Sequence, residues 1–345
     1  MEGNFKEKLK NFFKGKTILV TGAAGSIGKA LVKKLCEFEV EAIRALDINE
    51  TGLHELGEEL KGEPIGLFIG DVRDKDRLIM AMENVDIVFH AAALKHVYLC
   101  EYNPFEAIKT NILGTQNVIN AAIVNKVKKV ITISTDKAVY PVNVMGTTKL
   151  LAEKLTIAAN LYKGKKNIAF SVVRFGNVLN SRGSILPTIK KQIKQGGPVT
   201  LTHPEMTRFI MSIEDAINLV LKACYLARGG EIFILKMPAV KIRDLIEVAI
   251  ELLAPKYGYD PKDIEIQIIG KRKGEKLHEE LIMKEELEYL KDIGEMYLIS
   301  PYEDEVINLK SNANSIYSSN KVKLLSKNEI KNLLCKIIKN FPKTV

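Results

Sequence analysis

The 345 residues, 46% of them hydrophobic, are enough to bury a full core and exclude a disordered chain. No apolar run approaches the roughly 20 residues needed to cross a bilayer, so a soluble protein with no membrane partner is expected. The net charge of +9 is carried by Lys and Arg spread along the whole chain without interleaved aromatics, which reads as a solvated surface and not as a nucleic-acid platform.

The opening segment, Met1 to Lys16, mixes Lys and Glu with a few Phe. It lacks the apolar stretch and small-residue cleavage site of a secretion signal, so a cytoplasmic location is expected. Cys36, Cys100, Cys224 and Cys335 show neither CxxC nor metal-ligand spacing and are expected as reduced thiols, with no metal. Abundant Lys, Glu and Ile beside few Gln point to a thermophilic source.

Lys16 to Thr21 reads as a short apolar strand, followed by a glycine-rich turn and an amphipathic helix through about Phe38. Further strands are expected at Ala42 to Leu46, Gly66 to Gly70, Ile87 to His90, Val130 to Ser134 and Ala169 to Phe175, with helical stretches such as Pro104 to Asn125 and Thr148 to Tyr162. This alternation predicts an α/β Rossmann-type doubly wound parallel sheet. Beyond Phe175 the elements shorten, which predicts a smaller C-terminal substrate-binding lobe over the carboxyl ends of the strands. Residues 1–175 are therefore expected to form the dinucleotide-binding domain with an N-terminal leader, and 176–345 mainly the lobe, interleaved with it. From about Tyr302 the chain reads as a peripheral strand and helix.

The turn Thr21-Gly22-Ala23-Ala24-Gly25-Ser26-Ile27-Gly28 spaces its glycines so that the backbone can approach a pyrophosphate and the helix N-terminus can point free N–H groups at it. Asp47 stands about 20 positions beyond Gly28, where a carboxylate hydrogen-bonds a ribose diol and repels a 2′-phosphate. NAD is favoured, with NADP left open. Arg44 either weakens that preference or is a surface charge. Asp71 and Val72, after the third strand, suit the adenine edge; Asp71 reads equally as a turn residue.

Further motifs run in order: Gly70-Asp71-Val72-Arg73-Asp74, His90-Ala91-Ala92-Ala93-Leu94-Lys95-His96-Val97, Lys109-Thr110-Asn111-Ile112-Leu113-Gly114-Thr115 and Ser134-Thr135-Asp136-Lys137-Ala138-Val139. Then follow Arg174-Phe175-Gly176-Asn177-Val178, Ser181-Arg182-Gly183-Ser184, Thr207-Arg208-Phe209 and Gly274-Glu275-Lys276. With these the chain resembles the extended short-chain dehydrogenases, and within them the CapD-like polysaccharide-biosynthesis group of UDP-N-acetylglucosamine 4,6-dehydratases, over nearly its whole length. The resemblance implies oxidation at C4 of the sugar, loss of water across C5 and C6, and reduction at C6. It also implies a UDP-sugar substrate, a homo-oligomer that is a hexamer among soluble members, and Ala91 and Ala92 beside the cofactor.

In that group's wider superfamily a Tyr-x-x-x-Lys pair removes the hydroxyl proton, the lysine lowering the tyrosine pKa. Here Lys149 is preceded at that spacing by Met145, which transfers no proton, so the identity of the base stays open. Tyr140, followed by Pro141, reads as a loop or pocket aromatic. The resemblance implies Asp136 as acid and Lys137 as base, which requires a raised carboxyl pKa and a lowered amine pKa. It further implies Thr135 as relay for the C4 hydroxyl proton and Lys149 as the group orienting the nicotinamide ribose. Without the resemblance Asp136 and Lys137 read as an N-cap and a solvated charge.

For the sugar nucleotide, Arg208 and Arg272 suit the diphosphate by their guanidinium forks. Asn177 and Glu275 suit polar contacts, and Lys95 the vicinity of the sugar. Each alone reads equally as a surface salt bridge. His96 lacks partners for a triad or a metal and reads as a loop residue. The competing readings are a UDP-sugar 4-epimerase, which needs no acid–base pair for dehydration, and a non-catalytic dinucleotide-sensing or nucleic-acid-binding protein.

Overall fold

The computed structural model describes residues 3–300 and 317–339. Strands β1 (Thr17–Thr21), β2 (Ala42–Asp47), β3 (Ile65–Ile69), β4 (Ile87–His90), β5 (Lys129–Thr135) and β6 (Ala169–Phe175) alternate with helices as expected. Downstream come β7 (Asn177–Val178), β8 (Val199–Leu201), β9 (Thr207–Met211), β10 (Ile232–Leu235), β11 (Ala239–Lys241), β12 (Ile266–Ile268), β13 (Leu290–Asp292) and β14 (Met296–Ile299).

A nine-stranded sheet runs β13-β14-β10-β6-β5-β4-β1-β2-β3. Pairing is parallel from β3 across to β10, and β14 and β13 close that edge as an antiparallel hairpin. β4 and β6 are buried at every position, because helices cover both faces and the uninterrupted apolar runs leave no polar side to show water. Strand order reverses between β1 and β4, so a crevice opens at their carboxyl ends beside Thr21 and His90. This is the Rossmann-type doubly wound sheet.

The segment expected as a leader is a helix, Gly3–Phe13, packed into the core. Leu9 and Phe13 are fully buried, and the Phe13 ring lies against Phe38 and Phe89. Phe5, Leu9 and Phe12 recur at helical spacing, a stripe hidden among lysines that anchors the segment by apolar burial worth ~1.5–3 kcal/mol per large side chain.

Two further differences shape the site. The helical run Pro104 to Asn125 is interrupted by a wider π-type turn at Ile108–Leu113, which turns Asn111 inward. The helix expected from Thr148 begins at Val144, because the Asn143 side chain accepts from Gly146 N and caps it.

After Phe175 the chain divides between sheet and lobe. β10, β13 and β14 return to the large sheet, while β11-β9-β7 and β12-β8 form two small ones. A second core joins the helices Ile185–Lys194, Ile242–Leu253 and Lys327–Lys339 through Leu186, Ile189, Leu245, Ile246, Ile330 and Leu334. The strand expected from Tyr302 falls partly on residues 301–316, outside the described residues; the terminal helix is present.

Candidate active site

The glycine turn lies across the crevice. Gly22 has φ +71°, and a Cβ there would sit 2.7 Å from Ala92 N, so the turn presses against the Ala91–Ala92 backbone after β4. At Gly28 a Cβ would come 2.1 Å from Gly22 O. Gly25 caps the helix Ser26–Leu35, and Ile27 packs on the core beneath it. The Arg182 N–H donates to Ser26 Oγ at 2.9 Å, tying this turn to the loop after β7.

Asp47 ends β2 where the ribose reading requires it, and it also braces the turn, accepting from Ala24 N and Asn49 N, each at 2.9 Å. Arg44 points the other way. Its guanidinium donates to the Ala81 and Glu83 carbonyls at 2.8 and 2.7 Å, at the amino end of the sheet, and lies over Phe68. It neither faces the crevice nor stands as a lone surface charge. Asp71 is bound by Arg73 through side chain and backbone; burial alone would raise its pKa, and those hydrogen bonds outweigh it and lower it. Val72 is buried against Gly114.

Beside the turn, His90 is buried and neutral, its pKa pushed down to about 3 by burial and by the Lys149 charge. Thr115 Oγ1 donates to Asn111 O at 2.7 Å, so it accepts from His90 Nε2 at 3.0 Å, and His90 Nδ1 accepts from Thr21 Oγ1 at 2.8 Å. Asn111 fastens the loop that carries Lys95, bonding both the N–H and the carbonyl of Leu94 and reaching Thr148 Oγ1 at 2.9 Å.

At the carboxyl end of β5 the expected chemical groups converge. Thr135 Oγ1 donates to Asp136 Oδ1 at 2.8 Å, and Lys137 Nζ donates to the same oxygen at 2.9 Å and to Asn177 Oδ1 at 3.1 Å. Asp136 is fully buried, and the local turn is capped by Thr135, so the N-cap and solvated-charge reading of the pair fails. Lys137 keeps 22% side-chain exposure.

Its amine departs from the expected direction. Burial by itself would lower the pKa, but the carboxylates of Asp136 and Glu279 outweigh it and raise it, so the resting group is an ammonium. Lys149 is the lysine that is lowered, to about 8, by burial, with Glu153 opposing; its Nζ donates to Ile133 O at 2.6 Å. Met145 is buried with Cys100 and Ala107 and offers only packing. Tyr140 is occupied elsewhere: its hydroxyl donates to Glu285 Oε2 at 3.0 Å and accepts from Lys284 N at 2.6 Å.

Glu279, unseen in the sequence, faces this group from the lobe. It is buried, with Oε1 3.5 Å from Lys137 Nζ and 3.7 Å from Arg208 Nε, and Oε2 has no hydrogen-bond partner. Burial raises its pKa, the Asp136 charge adding while Lys137, Arg208 and Lys276 oppose. Arg208 is itself buried and held by the carbonyls of Thr207, Leu277 and Lys276 at 2.7, 3.1 and 2.9 Å, a clamp on the 276–279 segment that is not aimed outward as the diphosphate reading expected.

Arg174, also missed, is fully buried and uses all five donors: a fork on Glu153, a fork on Glu286, and Leu281 O. It thereby fastens the segment after Glu279 to the helix that carries Lys149. Lys95 Nζ donates to Arg182 O at 2.5 Å, and burial lowers its pKa, with the Arg182 charge adding. Arg272 is exposed, its backbone N–H donating to Glu275 Oε2 at 3.1 Å. Asn143 Nδ2 donates to Gly274 O at 2.9 Å, which seats that segment on the helix bearing Lys149. His96 packs under Gly183.

A family model described as polysaccharide biosynthesis protein matches residues 18–301. A Methanocaldococcus jannaschii protein named an uncharacterized membrane protein is 67% identical over 331 residues, covering 96% of this chain and 98% of its own. Among the described residues no helix is long and apolar enough to cross a membrane. An inverting UDP-N-acetylglucosamine 4,6-dehydratase of Campylobacter jejuni is 46% identical over 84% of each chain. A UDP-glucose 4-epimerase of Rickettsia bellii is 41% identical over 93% of this chain and 96% of its own. The solved structure of Pen from Bacillus thuringiensis superposes with a TM-score of 0.89 at 42% identity, covering 94% of this chain and 98% of that one.

Proposed function

The chain belongs to the polysaccharide biosynthesis protein family, of the extended short-chain dehydrogenase type, and on that premise we propose that it is a UDP-N-acetylglucosamine 4,6-dehydratase. The observation that carries the reading is the hydrogen-bonded line Thr135, Asp136, Lys137 at the end of β5, an acid and a base side by side. An epimerase, the activity named for the Rickettsia relative, has no water to eliminate and needs no such pair.

The cofactor is a nicotinamide dinucleotide. The cradle at Gly22 and Gly28, which any Cβ would fill, fits its pyrophosphate. Asp47 and the averted Arg44 favour NAD over NADP. When bound, the dinucleotide supplies the hydride acceptor and donor. Gly25 and Ser26 lead the helix N-terminus at the phosphates, Asp71 and Val72 flank the adenine, and Lys149 orients the nicotinamide ribose.

The hydrogen bonds offer a proton route that does without the missing tyrosine. As C4 is oxidised its hydroxyl proton passes to Thr135 Oγ1, while the Thr135 proton moves along its 2.8 Å bond to Asp136 Oδ1. Asp136, now neutral, is the acid that protonates the departing C6 hydroxyl, and Lys137 removes the C5 proton made acidic by the C4 ketone. Asn177 holds Lys137 in place, Arg208 shapes the floor, and Lys95, Arg272 and Glu275 meet the sugar nucleotide from the rim.

The test is incubation with UDP-N-acetylglucosamine and NAD, followed by mass spectrometry and proton NMR. Loss of one water with a new C6 methyl signal is expected, and the C5 coupling reads the stereochemistry. Unchanged mass with the galacto epimer would establish the epimerase instead. Light scattering on the same sample tests the expected homo-oligomer.

A further inference from the structure

Lys137 presents a chemical difficulty for any base role. Its ammonium lies among three oxygens, Asp136 Oδ1 at 2.9 Å, Asn177 Oδ1 at 3.1 Å and Glu279 Oε1 at 3.5 Å, two of them on carboxylates. A proton held that way is not lost to solvent at neutral pH, so the free amine needs an acceptor inside the site.

The two carboxylates are not equivalent. Asp136 Oδ1 receives two short hydrogen bonds, from Thr135 and Lys137, which stabilise its charge. Glu279 is 2% exposed, and its cations stand off at 3.5 and 3.7 Å; its Oε2, like Asp136 Oδ2, is buried without a partner, so the difference between the two lies in the short hydrogen bonds that Glu279 lacks. A buried carboxylate so poorly solvated is the one whose neutral form is favoured.

Building on the dehydratase reading, we propose that Glu279 is the positioning residue that accepts the proton of Lys137 and so releases its amine to act at C5. The proton count closes. Oxidation at C4 sends one proton through Thr135 to Asp136, which cancels the charge that most strongly retains the Lys137 ammonium. Lys137 then passes a proton to Glu279, leaving a neutral amine beside a carboxylic acid. The amine takes the C5 proton while Asp136 gives its own to the leaving hydroxyl, forming water. After reduction at C6, Lys137 returns a proton to C5 and recovers its first proton from Glu279.

The groups that face Glu279 are Lys137, Asp136, Arg208 and Lys276; with all five ionised, three cations against two carboxylates leave a single positive surplus, and passing the Lys137 proton to Glu279 leaves that sum unchanged. His278 and Glu280, its chain neighbours, point elsewhere: His278 bonds Thr207 Oγ1 at 2.8 Å, and Glu280 lies 3.9 Å from Lys276.

The test uses Glu279→Gln, of the same shape but unable to take the proton, and Glu279→Asp, which can. With UDP-N-acetylglucosamine and NAD in D2O, C4 oxidation is read by NADH absorbance and C5 exchange by NMR. In Glu279→Gln the ratio of C5 exchange to C4 oxidation is expected to fall about 100-fold or more. Its residual rate should climb with pH, since one carboxylate fewer retains the Lys137 proton, and Glu279→Asp should recover part of the ratio. A Gln variant with the wild-type ratio and pH profile overturns the proposal. So does equal loss of both steps with Asp no better than Gln, the mark of packing alone. If the wild-type protein itself yields only an epimer without C5 exchange, it is the dehydratase reading that has failed, a result distinct from either.

Discussion

Lys149 offers a way to measure what this site costs the fold. Its Nζ is buried, and burial moves its pKa from 10.5 to about 8, with Glu153 opposing. Below pH 8 the amine is charged in both folded and unfolded chains, and the whole penalty of burying that charge is present. Between pH 8 and 10.5 the folded protein gives up the proton while the unfolded chain keeps it, so stability rises with pH across that window. With 1.36 kcal/mol per unit, the contribution between pH 7 and pH 10 is about 2.5 kcal/mol. Lys149→Met removes the titration while nearly preserving side-chain length. Urea unfolding of both nucleotide-free proteins at pH 7 and pH 10 should therefore show the wild type gaining about 2.5 kcal/mol relative to the variant as pH rises, other titrating groups cancelling in the difference. A difference that stays constant, or that shrinks toward alkaline pH, would falsify the assignment of a penalised buried charge. The variant should also lose C4 oxidation, as expected where stability was given up for function.

Three other substitutions probe separate parts of the argument. Gly28→Ala puts a Cβ 2.1 Å from Gly22 O and should abolish NADH binding in a fluorescence titration; an unchanged Kd would mean that the turn is not the phosphate site. Arg174→Met strands the Glu153 and Glu286 carboxylates without their cation, so urea unfolding should register a loss of about 3–5 kcal/mol, and a loss below about 1 kcal/mol would show that the network is not needed. Tyr140→Phe should leave turnover unchanged, because its hydroxyl serves Glu285 and Lys284; loss of C4 oxidation would instead make it the missing base.

The geometry of the glycine-turn half of the candidate site was legible because it is local. Gly22, Gly28 and Asp47 belong to one strand-turn-helix-strand unit, where spacing alone dictates which backbone atoms meet. The same holds for Thr135, Asp136 and Lys137, three neighbours at a strand end, and for Lys149 on the helix that follows. The helix Gly3–Phe13 in the leader was not legible in the composition, where its lysines dominate a narrow apolar stripe, although the Phe5, Leu9 and Phe12 period was there to be read.

What the amino-acid order alone determined, then, is the Rossmann-type sheet, the tight glycine turn and the adjacency of Asp136 and Lys137, each encoded by periodicity or by neighbourhood within a few residues. Only the tertiary structure decided the charges those groups carry. Arg174 and Glu286 are 112 residues apart, and Glu279 is as remote from Lys137 in the chain as it is close in space. The Lys137 ammonium, the lowered Lys149 amine and the turned-away Arg44 all follow from which distant segments bury them. Burial and Coulomb interaction are sums over neighbours in space, and a linear pattern holds no record of those neighbours until the chain has folded.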